Sequence, residues 1–88
     1  MRVTYDEKDN VGYIYLKDRN EAGECSNQIA AHVPGQEENE IEDIIMDFNA
    51  AGQLVGIELL DAARLLPPEL KAVAITTAEY RKSESETD

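Results

Sequence analysis

Asp47, Asn49, Gly52 and Glu58 fall at positions one, three, six and twelve of a twelve-residue stretch, the spacing of a calcium-binding loop. That loop needs oxygen ligands where this sequence has Ala51, and a further donor or water-bridged ligand where it has Val55. It also needs helices on both sides, whereas Ile44–Phe48 and Leu54–Leu60 read as strands. The stretch is therefore expected to be a hairpin with an Asn-x-x-Gly turn, and no metal is expected there.

The other reactive side chains stand alone. His32 is the single histidine, and no residue at motif spacing supplies the partner that a general base or a metal site requires. It is expected to be a structural histidine at a strand end. Cys25 lies between Glu24 and Ser26, and an acidic neighbour disfavours the thiolate that makes a cysteine reactive. Ser26, Ser83 and Ser85 lack the base of a catalytic triad, and the glycines are too scattered for a phosphate-cradling loop. The expectation is a protein with no catalytic residues and no cofactor.

Tyr5, Tyr13 and Tyr15 invite comparison with a base-stacking platform, which also needs a basic groove. Here Arg2, Lys8, Lys17 and Arg19 are offset by Asp6, Glu7, Asp9, Asp18 and Glu21. The whole chain has 19 acidic residues against 8 basic ones, a formal net charge of -11, which repels phosphates. Nucleic acid is therefore excluded as a partner, and the tyrosines are read as cross-strand packing or a protein interface. The stretch from Gln36 to Asp43 carries Glu37, Glu38, Glu40, Glu42 and Asp43 without a base. It reads as a solvated loop extended by self-repulsion, with a weak cation site or a docking patch for a basic protein as the alternatives.

In 88 residues there is room for one domain, expected over residues 1–82. No apolar run approaches the ~20 residues of a membrane helix, and Met1–Asp6 lacks the apolar stretch of a signal peptide. One cysteine makes no internal disulfide, so a reducing cytoplasm is the expected compartment.

The elements that must position these side chains follow from local pattern. Val3–Asp6 and Val11–Lys17 are β-prone and flank a polar turn, giving a first hairpin. Period two puts Tyr13 and Tyr15 on one face, Ile14 and Leu16 on the other. Asn27–Val33 is read as a third strand ended by Pro34-Gly35. Ile44–Phe48 and Leu54–Leu60 form a second hairpin through Asn49-Ala50-Ala51-Gly52, with Gly52 in the left-handed position. If Gly52 sits in a bulge after a type I turn, Ile45 and Asp47 share a face with Val55, Ile57 and Leu59; another turn swaps the partners. Asp61 can cap a short helical turn over Ala62–Leu66. Leu70, Val73, Thr77 and Tyr80 then predict a helix from about Pro68 to about Lys82. Residues 83–88 form an acidic tail expected to be disordered.

Two stretches carry a family resemblance. The first is Val3-Thr4-Tyr5-Asp6 with Val11-Gly12-Tyr13-Ile14-Tyr15-Leu16. The second runs from Asp47 through Gly56-Ile57-Glu58 to Ala62, and on into Leu65-Leu66-Pro67. Together they resemble domain of unknown function 2283, a group of small prokaryotic proteins, over most of Arg2 to Pro68. The sequence departs from that pattern at Ala50 and Ala51, where acidic residues are expected, and in the long acidic loop. The resemblance implies a small β-rich fold and an association with small basic toxin-like proteins. It implies no activity, so no site residue is carried over.

The expected fold is α+β: a small antiparallel sheet of four or five strands from two hairpins, with a C-terminal helix. Both hairpins carry bulk on both faces, and one helix covers only one of them. The other would expose Tyr13, Tyr15, Leu54 and Leu60, the expected interface of a homodimer. The leading expectation is a non-enzymatic, self-associating interaction module with a basic protein as candidate partner, in the manner of an antitoxin. The alternative is a small enzyme or ligand carrier whose site forms only at an oligomer interface, from Asp47, Glu58 or His32.

Overall fold

The computed structural model describes residues 2–17, 26–36, 38 and 40–85. Cys25, the loop from Asp18 to Glu24, two positions of the acidic loop and the last three residues of the tail lie outside the described residues. The elements are β1 (Arg2–Asp6), β2 (Val11–Tyr15), β3 (Asn27–Ala31), β4 (Ile44–Phe48), β5 (Leu54–Leu59), α1 (Ala62–Leu65), α2 (Pro68–Val73) and α3 (Thr77–Ser85). The strands form one antiparallel sheet in the order β1-β2-β5-β4-β3. The expected α+β architecture is thus present, with all five strands.

The two hairpins meet through β2 and β5, which places the most apolar strand at the centre. Val55 and Leu59 of β5 are buried. The β4–β5 turn is a type I turn. The Gly52 amide donates to the Asn49 carbonyl at 3.0 Å, Ala50 and Ala51 keep negative φ, and Gly52 takes φ 81. The Asn49 side chain fixes the turn further, its oxygen accepting from the amides of Ala51 (3.0 Å) and Gln53 (2.9 Å).

The register expected to follow from that turn is overturned. Asp47 faces Gly56, Ile45 faces Glu58, Met46 faces Ile57 and Ile44 faces Leu59. Ile44 and Met46, rather than Ile45 and Asp47, therefore share a face with Ile57 and Leu59. The cause is a second irregularity just beyond the turn: Phe48 pairs with Leu54, but Asp47 pairs with Gly56, so the ladder slips by one residue at Val55. A one-residue slip moves every later side chain to the opposite face.

The C-terminal segment also differs from expectation. One continuous helix from Pro68 to Lys82 is replaced by two. Helix α2 ends as Ala74 turns extended, with ψ 146. Ile75 then lies along the outer edge of β1, donating its amide to the Val3 carbonyl at 3.0 Å and accepting from the Tyr5 amide at 2.8 Å. β-branched residues favour this extended stretch. The Thr76 hydroxyl restarts the helix, accepting from the Glu79 amide at 3.1 Å as an N-cap.

This break lets the segment clasp the β1 edge and reach both faces of the sheet. On the first face Ala62 of α1 and Leu66 at its end pack with Val3 and Leu59 of the sheet, with Tyr5, Ile14, Ile57 and Leu70 against them. Gly12 permits the close approach of α1, since a Cβ there would stand 3.1 Å from that of Ala62. On the second face α3 packs over β1 and β2. The Asp6 carboxylate accepts from the Thr77 amide at 3.1 Å and from the Thr77 hydroxyl. Tyr80, 3% exposed, stacks on Tyr15 with ring centroids 4.1 Å apart.

The α1 helix takes its N-terminal partner from the β1–β2 turn. Asp61 does not cap it through its side chain. Asn10, in the left-handed region at φ 56, accepts from the Ala62 amide through its carbonyl and from the Ala63 amide through its side-chain oxygen. Its amide nitrogen donates to Asp61 at 2.9 Å. Asn tolerates that backbone better than other non-glycine residues.

Candidate interaction surface

The second face of the sheet holds the side chains that the sequence marks for chemistry. Tyr13 on β2 faces Glu58 on β5, and Tyr15 faces Gly56. The ring of Tyr13 lies over Gly56, where a Cβ would come within 2.1 Å of its hydroxyl oxygen. That hydroxyl donates to Asp47 Oδ2 at 2.5 Å, and Gln28 Nε2 donates to Asp47 Oδ1 at 2.8 Å. Three strands, β2, β3 and β4, are thus tied together on one buried carboxylate, which is 7% exposed, with the Tyr13 ring crossing the fourth, β5, at Gly56. Buried charge is tolerated where such donors surround it.

The same geometry accounts for the calcium-like spacing. Asp47 spends both oxygens on Tyr13 and Gln28, and Asn49 spends its oxygen on backbone amides of the turn. The flanks are strands. Among the described residues no group of three or more His, Cys, Asp and Glu side chains is arranged to hold a metal ion.

The three early tyrosines do not form one platform. Tyr5 faces Gly12 on the opposite side from Tyr13 and Tyr15 and packs beside the core. Tyr13 and Tyr15 are in tilted ring contact at 4.4 Å, and Tyr80 stacks on Tyr15, with the Arg2 guanidinium 5.5 Å above its ring. The expectation that this face lacks a helix is therefore corrected. Helix α3 covers Tyr15 because the break at Ile75 carries the chain around β1. Tyr13 and Tyr15 are half-buried, while Leu54 (37%), which opens β5, and Leu60 (39%), which follows its last residue, are more exposed. The structure brings the two tyrosines together and separates the two leucines.

His32 lies just past β3, its Nδ1 2.9 Å from the Ile41 carbonyl, so it ties the end of β3 to the acidic loop. Pro34-Gly35 form the expected turn there, with Gly35 at φ 88 and the Gln36 amide bonded to the Val33 carbonyl. Glu38, Glu40 and Glu42 are exposed on this loop. Asp47 and Glu58 share the tyrosine face, whereas His32 lies beyond the end of β3.

The half of the sheet away from the helices holds what the sequence reading missed. All five residues of β3 are exposed or half-buried, and Ile29 at its centre is 53% exposed. The available signal was compositional: Ser26-Asn27-Gln28-Ile29-Ala30-Ala31 contains no charge in a chain that is 31% charged. The helical spacing puts Tyr80 on a helix face, but its pairing with Tyr15 depends on the break at Ile75.

The model of the family described as Protein of unknown function (DUF2283) matches residues 2–62. The chain belongs to that family. The match spans the sheet and the first residue of α1, and leaves α2, Ile75 and α3 outside it. No curated protein and no solved structure matches the chain. Among the described residues no helix is long and apolar enough to cross a membrane.

Proposed function

We propose that this member of the DUF2283 family is a cytoplasmic, non-enzymatic protein-interaction module that self-associates and takes a basic protein as its partner. The observation that carries this reading is the outer half of the sheet, which no described helix covers and where Ile29 stands 53% exposed on a terminal strand. Exposed apolar surface at a sheet edge is a site of association. The acidic excess supports the second part: a net charge of -11, with Glu38, Glu40 and Glu42 exposed on one loop, attracts a basic surface and speeds its encounter. A single cysteine suits a reducing compartment. Asp47, engaged by Tyr13 and Gln28, is spent on holding strands together, which supports the non-enzymatic reading.

Sedimentation across protein concentration and salt tests the first part. A dimer is expected in moderate salt, weakening as salt is removed and the like charges are no longer screened. A folded monomer at high protein concentration in moderate salt would sink the self-association. For the second part, purification of the native protein should recover a basic protein that salt releases. A retained small molecule in native mass spectrometry, with no basic protein, would favour instead a ligand site built from Asp47, Glu58 or His32.

A further inference from the structure

The two edges of the sheet are treated differently. The outer edge of β1 is occupied by Ile75, which bonds to Val3 and Tyr5. The outer edge of β3 has no strand beside it among the described residues. Proteins ordinarily protect such an edge with lysine, proline or an inward charge. Asn27–Ala31 has none of these.

One row of side chains crosses the whole sheet towards that edge. Val3 faces Ile14, Ile14 faces Ile57, Ile57 faces Met46, and Met46 faces Ile29. All five are apolar and on one face. Val3, under the helices, is 3% exposed, and Ile29, at the far end, is 53% exposed. The row runs from the core to solvent without a polar break.

We propose that β3 pairs antiparallel with β3 of a second copy about a two-fold axis at Ile29, joining two five-stranded sheets into one. The proposal rests on the self-association reading above. The occupant is a second copy because the strand is self-complementary. About that axis Ile29 meets Ile29, Gln28 meets Ala30 and Asn27 meets Ala31, so no charge faces a charge although each chain carries -11. A basic segment laid on this strand would find no acid opposite it. The pairing also continues the apolar row from one sheet into the next, with Ile29 buried against its counterpart. Slipping the axis to Gln28 or Ala30 would lose that contact, and an odd slip would set the apolar face of one sheet beside the polar face of the other. A five-residue strand pair buries less than a standard interface, so the dimer is of the weak class.

Symmetric cysteines read the register directly, in a chain where Cys25→Ser removes the native thiol. Directly opposed residues in an antiparallel pair lie within disulfide reach. Under mild oxidation Ile29→Cys should form disulfide dimers at least ten times faster than Gln28→Cys or Ala30→Cys. Separately, Ile29→Lys should raise the dimer dissociation constant at least tenfold with the far-ultraviolet circular dichroism unchanged. Equal crosslinking at the three positions, or fastest crosslinking at 28 or 30, overturns the proposed axis. If the wild type sediments as a dimer and Ile29→Lys leaves it unaltered, the edge pairing fails while self-association stands. If the wild type is monomeric throughout, both fail.

Discussion

The hydroxyl of Tyr13 donates to the carboxylate of Asp47 at 2.5 Å, and its ring crosses Gly56 on the intervening strand to reach it. Glycine at 56 is thus required by a neighbour's ring rather than by its own backbone, since its φ is not in the left-handed region. Tyr13→Phe should destabilise the fold by about 1–3 kcal/mol, because a buried acceptor loses its donor. Gly56→Ala should cost about 1–3 kcal/mol by displacing the ring. In the Tyr13→Ala background the Gly56→Ala penalty should shrink by at least ~0.5 kcal/mol, which urea denaturation of the double-mutant cycle measures. Strict additivity would mean that the ring and the glycine do not constrain one another.

The β4–β5 turn distributes its stability over two residues. Gly52 holds φ 81, so Gly52→Ala should destabilise by about 1 kcal/mol. Asn49→Ala removes the acceptor of the Ala51 and Gln53 amides and should cost about 1 kcal/mol as well. Gln53→Ala loses only an exposed side-chain bond to Asn49 and should cost much less. A denaturation midpoint for Gln53→Ala that falls below that of either other variant would refute this account of the turn.

Asp61 makes the fold sensitive to acid. Arg64 and Asn10, which hydrogen-bond its carboxylate, hold its pKa below the ordinary carboxylate value. A carboxyl with a depressed folded pKa contributes stability that is present above its unfolded pKa. That contribution is lost as pH falls through the folded pKa. Asp61→Asn should therefore lower the melting temperature at neutral pH and narrow its gap to wild type on acidification below the ordinary carboxylate range. A constant gap from neutral to strongly acidic pH would show that Asp61 does not couple to folding.

Period-two patterns in Val11–Leu16 and Leu54–Leu60, together with the Asn-x-x-Gly turn, made the two hairpins legible, because neighbours in sequence determine them. The register of β4 against β5 was not, because the slip at Val55 leaves no local signature: Leu54 and Val55 are both ordinary strand residues. The helix break was half legible. Thr76-x-x-Glu79 is the spacing of an N-cap, but Leu70, Val73, Thr77 and Tyr80 kept the helical period through it. What decided the matter was the vacant edge of β1, a long-range partner for Ile75. The Asp47 site was obscured for the same reason: Tyr13 and Gln28 lie 34 and 19 residues away.

Ile75 is the hinge on which the second face depends. Its amide donates to Val3 and its carbonyl accepts from Tyr5, so it fixes the path of the chain from α2 on one face to α3 on the other. Ile75→Pro removes that amide and leaves Val3 without its outer donor, while Ala74 is already in the extended conformation that a following proline requires. The expected cost is about 1–3 kcal/mol for the lost edge bond. The more telling effect is local. With the edge loosened, α3 should lose hydrogen-exchange protection, Tyr80 should separate from Tyr15, and the near-ultraviolet circular dichroism of the tyrosines should fall. The β4–β5 amides should keep their protection, because their ladder does not involve Ile75. Ile75→Val, which keeps the amide and the branched side chain, should behave as wild type. If Ile75→Pro leaves α3 as protected as before, the contacts of Thr77 with Asp6 and of Tyr80 with Tyr15 are sufficient to hold it, and the edge bonds are not what carries the chain around β1.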